Sequence, residues 1–180
     1  MQTVPIPQNR PPTTMTVPVT TGDALEALFA THYRELVRLV SGLLDDNESC
    51  EEAVQDAFAS MLRRDRPLPS GKEAAYLRSA ALNSARSQLR KRRVRRRHLE
   101  AVAPPTEAAE AAALNRLENR GILETIRTLP RRQSEVLLLR FQADLSELEI
   151  AETLGISPGS VKTHASRGLA AIRARLQERS

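Results

Sequence analysis

Polar and basic side chains near the carboxyl end of the chain are of the types that bind DNA. They recur on one face of a helix predicted to follow Ser157, opposite the apolar Val161. The face comprises Ser160, Lys162, Thr163, His164, Ser166 and Arg167. Lysine and arginine bind backbone phosphates, while arginine, serine and threonine also hydrogen-bond to base edges in the major groove. These residue types predict contact with DNA rather than a merely solvated helix face.

The residues around this helix predict how it is positioned. Ser146 and Glu149 form a capping box that starts a short helix, and Gly155 suits the left-handed turn that ends it. Ser157 and Pro158 supply an N-cap hydroxyl and a first-turn proline for the second helix. About three residues separate the two helices, which is the spacing of a helix-turn-helix. The second helix is expected to pack through its apolar side chains, Val161, Ala165, Leu169 and Ile172.

A second basic surface lies upstream, near the end of another predicted helix. Its eight basic residues are Arg86, Arg90, Lys91, Arg92, Arg93, Arg95, Arg96 and Arg97. Complementarity to the helix dipole accounts for about two or three cations at a C-terminus, and not for eight. Like charges at this density repel one another unless phosphates neutralise them. The cluster therefore predicts binding to a nucleic-acid backbone.

The composition restricts the other kinds of site. The 180 residues include 27 Lys and Arg against 22 Asp and Glu, and only 3% are aromatic, so any hydrophobic core is small and aliphatic. A single cysteine, Cys50, excludes an internal disulfide, and the three histidines, His32, His98 and His164, are far apart. We expect no metal site, no cofactor and no catalytic residue. The first residues have neither a basic start nor a long apolar run, which predicts a cytoplasmic protein without membrane contact.

Apolar periodicity predicts an all-α protein with two small helical domains joined by a flexible linker. Residues 1–22, rich in proline and threonine, are predicted to be a disordered tail. A three-helix domain is expected over residues 23–98, a linker over 99–114 and a helix-turn-helix domain over 115–178. Phe29 and Leu62 are predicted among the inward-facing residues of the first domain.

The predicted helix limits follow the caps and prolines. In the first domain the helices are expected from Asp23 to about Asp45, from Glu48 to Arg63 and from Glu73 to at least Arg90. In the second they are expected from Leu117 to Thr128, from Arg131 to Phe141, from Glu147 to Leu154 and from Pro158 to Gln177.

Three stretches of the chain carry a family resemblance. Residues 51–58 have an acidic pair, a small residue and two further apolar positions before Phe58. Tyr76, Leu77, Arg78 and Asn83 precede the arginine cluster, and residues 129–140 precede the helix-turn-helix. In this order they resemble regions 2.2, 2.3 to 2.4 and 4 of the extracytoplasmic-function group of bacterial sigma-70-type sigma factors. The resemblance covers about residues 23–177.

The resemblance implies a protein that joins core RNA polymerase, recognises −35 and −10 promoter elements and opens the duplex, without being an enzyme. It places contacts to the coiled coil of the largest polymerase subunit at Glu52, Gln55, Asp56 and Phe58. An acidic helix face suits a basic protein partner and not DNA. Phe58 is also at helical spacing with Val54, and is at least as well interpreted as a core residue. The flap region of the polymerase and an anti-sigma factor are further implied partners.

The resemblance also distributes the promoter contacts. It assigns the −10 element to Tyr76, Asn83, Arg86, Arg90, Arg92 and Arg93. Asn83 matches a position that lines a pocket for an extruded base, and the loop over residues 64–73 is expected to form the other wall. It assigns the −35 element to Ser160, Lys162, Thr163, His164 and Arg167.

Three positions depart from the family pattern. Tyr76 stands where tryptophan is frequent, His164 where arginine is frequent and Ala165 where leucine is usual. A neutral histidine offers one donor where arginine offers a fork, so the −35 preference is expected to differ.

Other classes of protein fit less of the sequence. A one-component regulator, the main alternative, would need a sensing domain with a pocket, whereas residues 23–98 predict a narrow helical core. A nuclease or recombinase would need facing carboxylates beside the basic surface, and Glu51, Glu52 and Asp56 lie a helix away from it. An anti-sigma or purely structural protein would leave the DNA-binding face of the second domain unexplained.

Overall fold

A computed structural model describes residues 22–99 and 117–178. These residues form helices joined by turns and contain no strand, which confirms the predicted all-α class. The helices are α1 (Gly22–Ser41), α2 (Asn47–Leu62), α3 (Glu73–Leu99), α4 (Leu117–Thr128), α5 (Arg131–Phe141), α6 (Glu147–Leu154) and α7 (Pro158–Gln177). Apart from Gly22 and Leu99, the predicted tail and the predicted linker lie outside the described residues.

The first domain packs α1, α2 and α3 around an aliphatic core. Leu39, Val54 and Leu77 have no exposed surface at its centre. The prediction that Leu62 faces inward is wrong, since its side chain is 54% exposed. At about 100° per residue, Leu62 falls outside the stripe that runs from Ala53 to Met61. The prediction that Phe29 faces inward is also wrong, since it is 41% exposed, with its ring stacked on that of Tyr33 at 4.6 Å.

The second domain is built by the local signals that the sequence contains. Ser146 accepts from the Glu149 N–H while Glu149 accepts from the Ser146 N–H, so the capping box is present. Gly155 ends α6 in the left-handed region at φ 62°. Ser157 caps α7 by accepting from the Ser160 N–H at 3.2 Å. The packed face of α7 contains the predicted Val161, Ala165 and Ile172, and also Gly168, which the periodicity did not single out.

The two domains are packed against each other. Buried apolar side chains of both belong to one continuous cluster. The turn after α1 approaches α5 so closely that a Cβ added at Gly42 would overlap the side chain of Leu138. This close approach fixes the position of α5 on the first domain.

Candidate nucleic-acid interface

The polar face of α7 is accessible along most of its length. Lys162, Thr163 and Arg167 are exposed, and Ser160 and His164 are half-buried. All five predicted residues therefore share the helix that the Ser157 cap begins. Such a face presents donors to phosphates and base edges without prior rearrangement.

Two contacts restrain this face from within the second domain. Lys162 Nζ lies 3.6 Å from Glu147 Oε2, and Arg140 donates to Glu147 Oε1 at 3.4 Å. Thr163 Oγ1 donates to the Gly159 carbonyl at 3.0 Å. Lys162 stays 70% exposed, so its ammonium remains available to an anion.

A polar cleft of about 400 Å³ lies between α2 and α3. Its lining residues are Asp56, Ser60, Arg63, Tyr76, Ser79, Ala80, Asn83, Ser84 and Ser87. Tyr76 and Asn83, predicted separately, thus line one cleft. The expected second wall, the loop over residues 64–73, does not line it; the facing wall is the last two turns of α2.

Tyr76 is held at the edge of this cleft by two neighbours. Its hydroxyl lies 2.9 Å from the hydroxyl of Ser60. The Arg64 guanidinium lies over the ring, 4.8 Å from its centroid, at the distance of a cation–π contact. These contacts fix an aromatic face beside hydroxyl and amide groups.

Asn83 and Arg86, both predicted to bind DNA, contact the second domain. Arg131 of α5 donates to Asn83 Oδ1 at 2.7 Å. Arg86 Nε donates to Glu135 Oε1 at 3.2 Å, and the same guanidinium donates to the Arg131 carbonyl and to Ser134 Oγ. Burial lowers the pKa of Arg86 and Glu135 opposes the effect, yet a guanidinium keeps its proton in proteins.

Glu135 is the buried centre of this contact. Its side chain is 1% exposed, and it accepts from Arg131 at 2.8 Å and from Arg132 at 3.1 Å in addition to Arg86. A buried carboxylate is tolerated when cations and hydrogen bonds surround it. Glu135 therefore joins an ionic cluster of the second domain to α3.

Arg92 is engaged inside the first domain. Its guanidinium donates to Asp46 Oδ2 at 2.6 Å, to Asp45 Oδ1 at 3.2 Å and to Ser49 Oγ. The Asp46 hydrogen bond, against the effect of burial, raises the pKa of Arg92. Burial opposes the charge of Asp46, but the Ser49 N–H and Arg92 outweigh it and hold the pKa of Asp46 below its usual value.

The other basic residues of α3 differ from Arg92. Arg90, Lys91, Arg93 and Arg95 are exposed. The side chains of Arg96 and Arg97 lie outside the described residues. Among the four arginines assigned to the −10 element, Arg90 and Arg93 are thus exposed, whereas Arg86 and Arg92 are engaged by other residues.

The residues predicted to bind polymerase divide into two groups. Glu52 and Gln55 are exposed on α2, and Asp56 is exposed while accepting from Ser84 Oγ at 2.7 Å. Phe58 is only 6% exposed, and its ring packs 5.1 Å from that of Phe29. This burial favours the interpretation of Phe58 as a core residue, because little of its surface is accessible to a partner.

Sequence reasoning missed the interdomain role of three residues. Arg127 of α4 donates to the carbonyls of Ser41, Gly42 and Leu44 at 3.0, 3.3 and 2.8 Å. The sequence does contain a signal for the burial of Glu135. A carboxylate within the apolar run of α5 needs nearby cations, and Arg132 and Arg131 lie three and four residues before it. Nothing in the sequence identifies the partner of Arg127 or of Gly42.

Metal binding and thiol chemistry both depend on side chains other than those of the two basic surfaces. Within residues 22–99 and 117–178, no three His, Cys, Asp or Glu side chains are grouped to hold a metal ion. Burial raises the pKa of the Cys50 thiol to about 11, so it is protonated at neutral pH. None of the described helices has the length and apolar character needed to cross a membrane.

Comparison with protein families identifies both domains. Residues 28–95 match the Sigma-70 region 2 family, and residues 119–172 match the Sigma-70 region 4 family. The first match covers the part of the chain in which a one-component regulator would need its sensing domain. The pair of matches favours a sigma factor over that alternative.

Similar proteins span nearly the same length. The chain is 29% identical to RNA polymerase sigma factor CarQ of Myxococcus xanthus, over 87% of this chain and 91% of that protein. It is 27% identical to the RNA polymerase sigma-E factor of Streptomyces antibioticus, over 86% and 85% of the two chains.

Two solved structures have a similar fold. CnrH, solved in complex with the cytosolic domain of CnrY, superposes with a TM-score of 0.66 at 24% identity, covering 89% of this chain and 92% of that chain. The sigma factor RpoE, solved with the anti-sigma factor NepR from Bartonella quintana, gives 0.65 at 20% identity, covering 84% and 96%. With the two family matches in their expected order, the chain belongs to the extracytoplasmic-function group of the sigma-70 family and is an alternative sigma factor in transcription initiation.

Proposed function

We propose that this sigma factor binds core RNA polymerase through α2, the −10 element through α3 and the −35 element through α7. The observation that carries the proposal is the exposed polar face of α7, which is the second helix of a complete helix-turn-helix. All of these activities are binding events, and the proposal contains no catalytic step. Because core RNA polymerase and promoter DNA are in the cytoplasm, the proposed binding requires a cytoplasmic location for this protein.

The polymerase contact is assigned to Glu52, Gln55 and Asp56. Glu52 and Gln55 are exposed on α2, whose exposed residues include further acidic side chains. Charge complementarity with a basic coiled coil of the largest subunit would speed association and set its orientation. Phe58 is left out because it is buried.

The −10 contact is assigned to the cleft between α2 and α3. Extruding a base from the stack costs about a few kcal/mol. A protein pocket offsets this cost by stacking on the base and by hydrogen-bonding to its edge. Tyr76 supplies an aromatic ring, and Asn83 supplies an amide at the same cleft. Arg90 and Arg93, exposed further along α3, would hold the adjoining phosphates.

The −35 contact is assigned to Ser160, Lys162, Thr163, His164 and Arg167. The N-terminal part of a recognition helix contacts base edges in the major groove, and these residues occupy the first ten positions of α7. Arg167 has the fork that reads guanine, and Lys162 is a point charge for a phosphate or a guanine.

A protein inhibitor is a further proposed partner. RpoE was solved with the anti-sigma factor NepR, and CnrH with the cytosolic domain of CnrY. The flap region of the polymerase is the second proposed polymerase contact, with the second domain as its binding side.

Promoter mapping tests the whole proposal. The purified chain is added to core RNA polymerase and fragmented genomic DNA, and the 5′ ends of the transcripts are sequenced. We expect discrete starts preceded by a shared pair of elements. Specific DNA binding by the chain alone, with no transcripts, would instead support a one-component regulator.

A matched pair of variants tests the polymerase contact. Glu52→Lys with Gln55→Ala should remove co-elution with core polymerase and abolish the mapped starts. Glu48→Lys makes the same charge change at an exposed position of the same helix and should leave both intact. Equal losses in the two variants would indicate a general charge effect and contradict the assignment.

A further inference from the structure

One acidic side chain lies beside the basic face that is proposed to read the −35 element. Glu147, the first residue of α6, has its Oε2 atom 3.6 Å from Lys162 Nζ. Its other oxygen, Oε1, accepts from Arg140 of α5 at 3.4 Å. The carboxylate is 30% exposed, whereas the lysine is 70% exposed. A carboxylate held by one cation therefore faces a second, more exposed cation.

The start of α6 does not depend on this carboxylate. Ser146 caps the helix and Glu149 completes the capping box, so both hydrogen bonds of the box are made without Glu147. Glu149 also supplies a negative charge in the first turn, which the helix dipole favours. An ion pair between exposed side chains adds little stability. The position of Glu147 is thus better explained by its effect on Lys162 than by its effect on the fold.

We propose that Glu147 is a positioning residue that makes Lys162 bind a base edge rather than a backbone phosphate. The first helix of a docked helix-turn-helix crosses the DNA backbone, while the second lies in the major groove. At the start of the first helix, Glu147 would lie on the backbone side of Lys162. Its charge repels a phosphate there, but a neutral acceptor such as O6 or N7 of guanine meets less repulsion. The inference rests on the proposed function, since it matters only if α7 enters the groove of the −35 element.

Repulsion of this kind increases specificity rather than affinity. Proteins discriminate between sites partly by placing unfavourable charges against the wrong ones. A lysine that is free to bind any phosphate strengthens binding to every sequence alike, because phosphates carry no sequence information. With Glu147 beside it, Lys162 makes a favourable contact only where a base acceptor lies within its reach. The pair therefore predicts that Lys162 reads a guanine at one position of the −35 element.

Replacing single base pairs of the −35 element tests the proposal. The chain is assembled with core RNA polymerase and titrated with fluorescein-labelled duplexes that carry either the mapped −35 element or one replaced base pair in it. The affinity ratio of the two duplexes gives the discrimination at each position. Glu147→Gln keeps an acceptor for Arg140 and removes the charge. We expect it to lower the discrimination at one guanine position about threefold, the effect of losing an exposed ion pair.

Salt dependence separates a phosphate contact from a base contact. For a duplex of random sequence, Glu147→Gln should steepen the salt slope of binding by about 0.9, because the released Lys162 neutralises one more phosphate. Glu124→Gln makes the same charge change at an exposed position of α4 and should alter neither the slope nor the discrimination. Equal changes in the two variants, or wild-type values in Glu147→Gln, would overturn the proposal.

Lys162→Ala completes a double-mutant cycle. Because Glu147 acts through Lys162, Glu147→Gln should change neither discrimination nor slope any further in the Lys162→Ala chain. A threefold effect that persists there would overturn the positioning role. If the wild-type chain with polymerase binds the mapped element and every replacement equally, the proposed −35 contact itself is wrong, and the inference falls with it. Discrimination by the wild type that is unchanged in Glu147→Gln overturns the inference alone.

Discussion

The two proposed DNA-binding surfaces differ in what their side chains contact before any DNA arrives. On α7, Lys162 and Arg167 are exposed to solvent. On α3, Arg86 binds the second domain and Arg92 binds two aspartates of its own domain. The two surfaces have similar residue types, so composition indicates affinity for DNA, while the neighbouring groups decide whether that affinity is available.

The prediction with the largest expected effect tests whether Glu135 mainly stabilises the second domain or the contact between the two domains. Arg131→Met with Arg132→Met leaves this buried carboxylate only Arg86 as a cation. Removing the partners of a buried charge costs about 3–5 kcal/mol. The free energy of unfolding, measured by urea titration with circular dichroism, should fall by about that amount.

Arg86→Met is the matched control for that double variant. It removes one cation from Glu135 and leaves two, so we expect the free energy of unfolding to fall by only about 1 kcal/mol. Equal destabilisation by Arg86→Met and by the double variant would mean that Glu135 mainly stabilises the contact between the two domains.

Lys162→Ala tests the accessible surface. Binding to a duplex that carries the mapped −35 element should weaken by about 1–3 kcal/mol if the ammonium contacts a base, or lose about one unit of salt slope if it contacts a phosphate. Arg127→Met, which removes the hydrogen bonds from α4 to the end of α1, should bind this duplex as the wild type does, because α7 is exposed already.

Arg173→Ala controls for loss of a cation on the same helix. It should change duplex binding less than Lys162→Ala does, and the difference isolates position from net charge. A gain in duplex affinity in Arg127→Met would erase the contrast between the two surfaces, since it would mean that the packing of the two domains also hinders α7.

Within α3, exposed and engaged arginines should behave differently. Arg93→Ala with Arg95→Ala should reduce the salt slope of single-strand binding by about 1.4, at about 0.7 for each phosphate that the variant no longer neutralises. Arg92→Ala should change the slope less and the free energy of unfolding more, because Arg92 binds Asp45 and Asp46. Titrating binding against salt for both variants separates the roles. An Arg92→Ala slope as altered as that of the double variant would show that Arg92 leaves its aspartates to bind DNA.

The elements predicted well from sequence are those specified by neighbours in the chain. The capping box at Ser146, the left-handed Gly155 and the start of α7 at Ser157 each depend on atoms within four residues. The limits of α4 to α7 were therefore predicted as the structure has them. The three stretches that resemble the family led to the proposed functions of α2, α3 and α7, because each is a short local pattern.

Contacts between distant residues were beyond sequence reasoning. The Arg127 side chain reaches carbonyls more than eighty positions away, and neither partner carries a local signal. The cleft wall was assigned to the loop over residues 64–73, whereas the second half of α2 supplies it through packing on α3. A one-dimensional pattern gives the face of each helix, but not which helix covers it.

The smallest effect concerns Asp46, which accepts from Arg92 at 2.6 Å. Its pKa in the folded chain lies below the ordinary value of 3.8. A lowered carboxyl pKa contributes stability that is complete above the pKa of the unfolded chain and is lost as the pH falls through the pKa of the folded chain.

Asp46→Asn keeps an N-cap acceptor and removes the charge. Because the side chain is 44% exposed, we expect a loss below about 1 kcal/mol at neutral pH. Urea titrations at pH 7 and below pH 4 should show this difference from wild type shrinking with acidity. Asp45→Asn, at a side chain 71% exposed, should show a smaller difference at pH 7. If Asp46→Asn also raises single-strand affinity, the aspartate pair competes with DNA for Arg92, and the contrast between the two surfaces extends to the far end of α3.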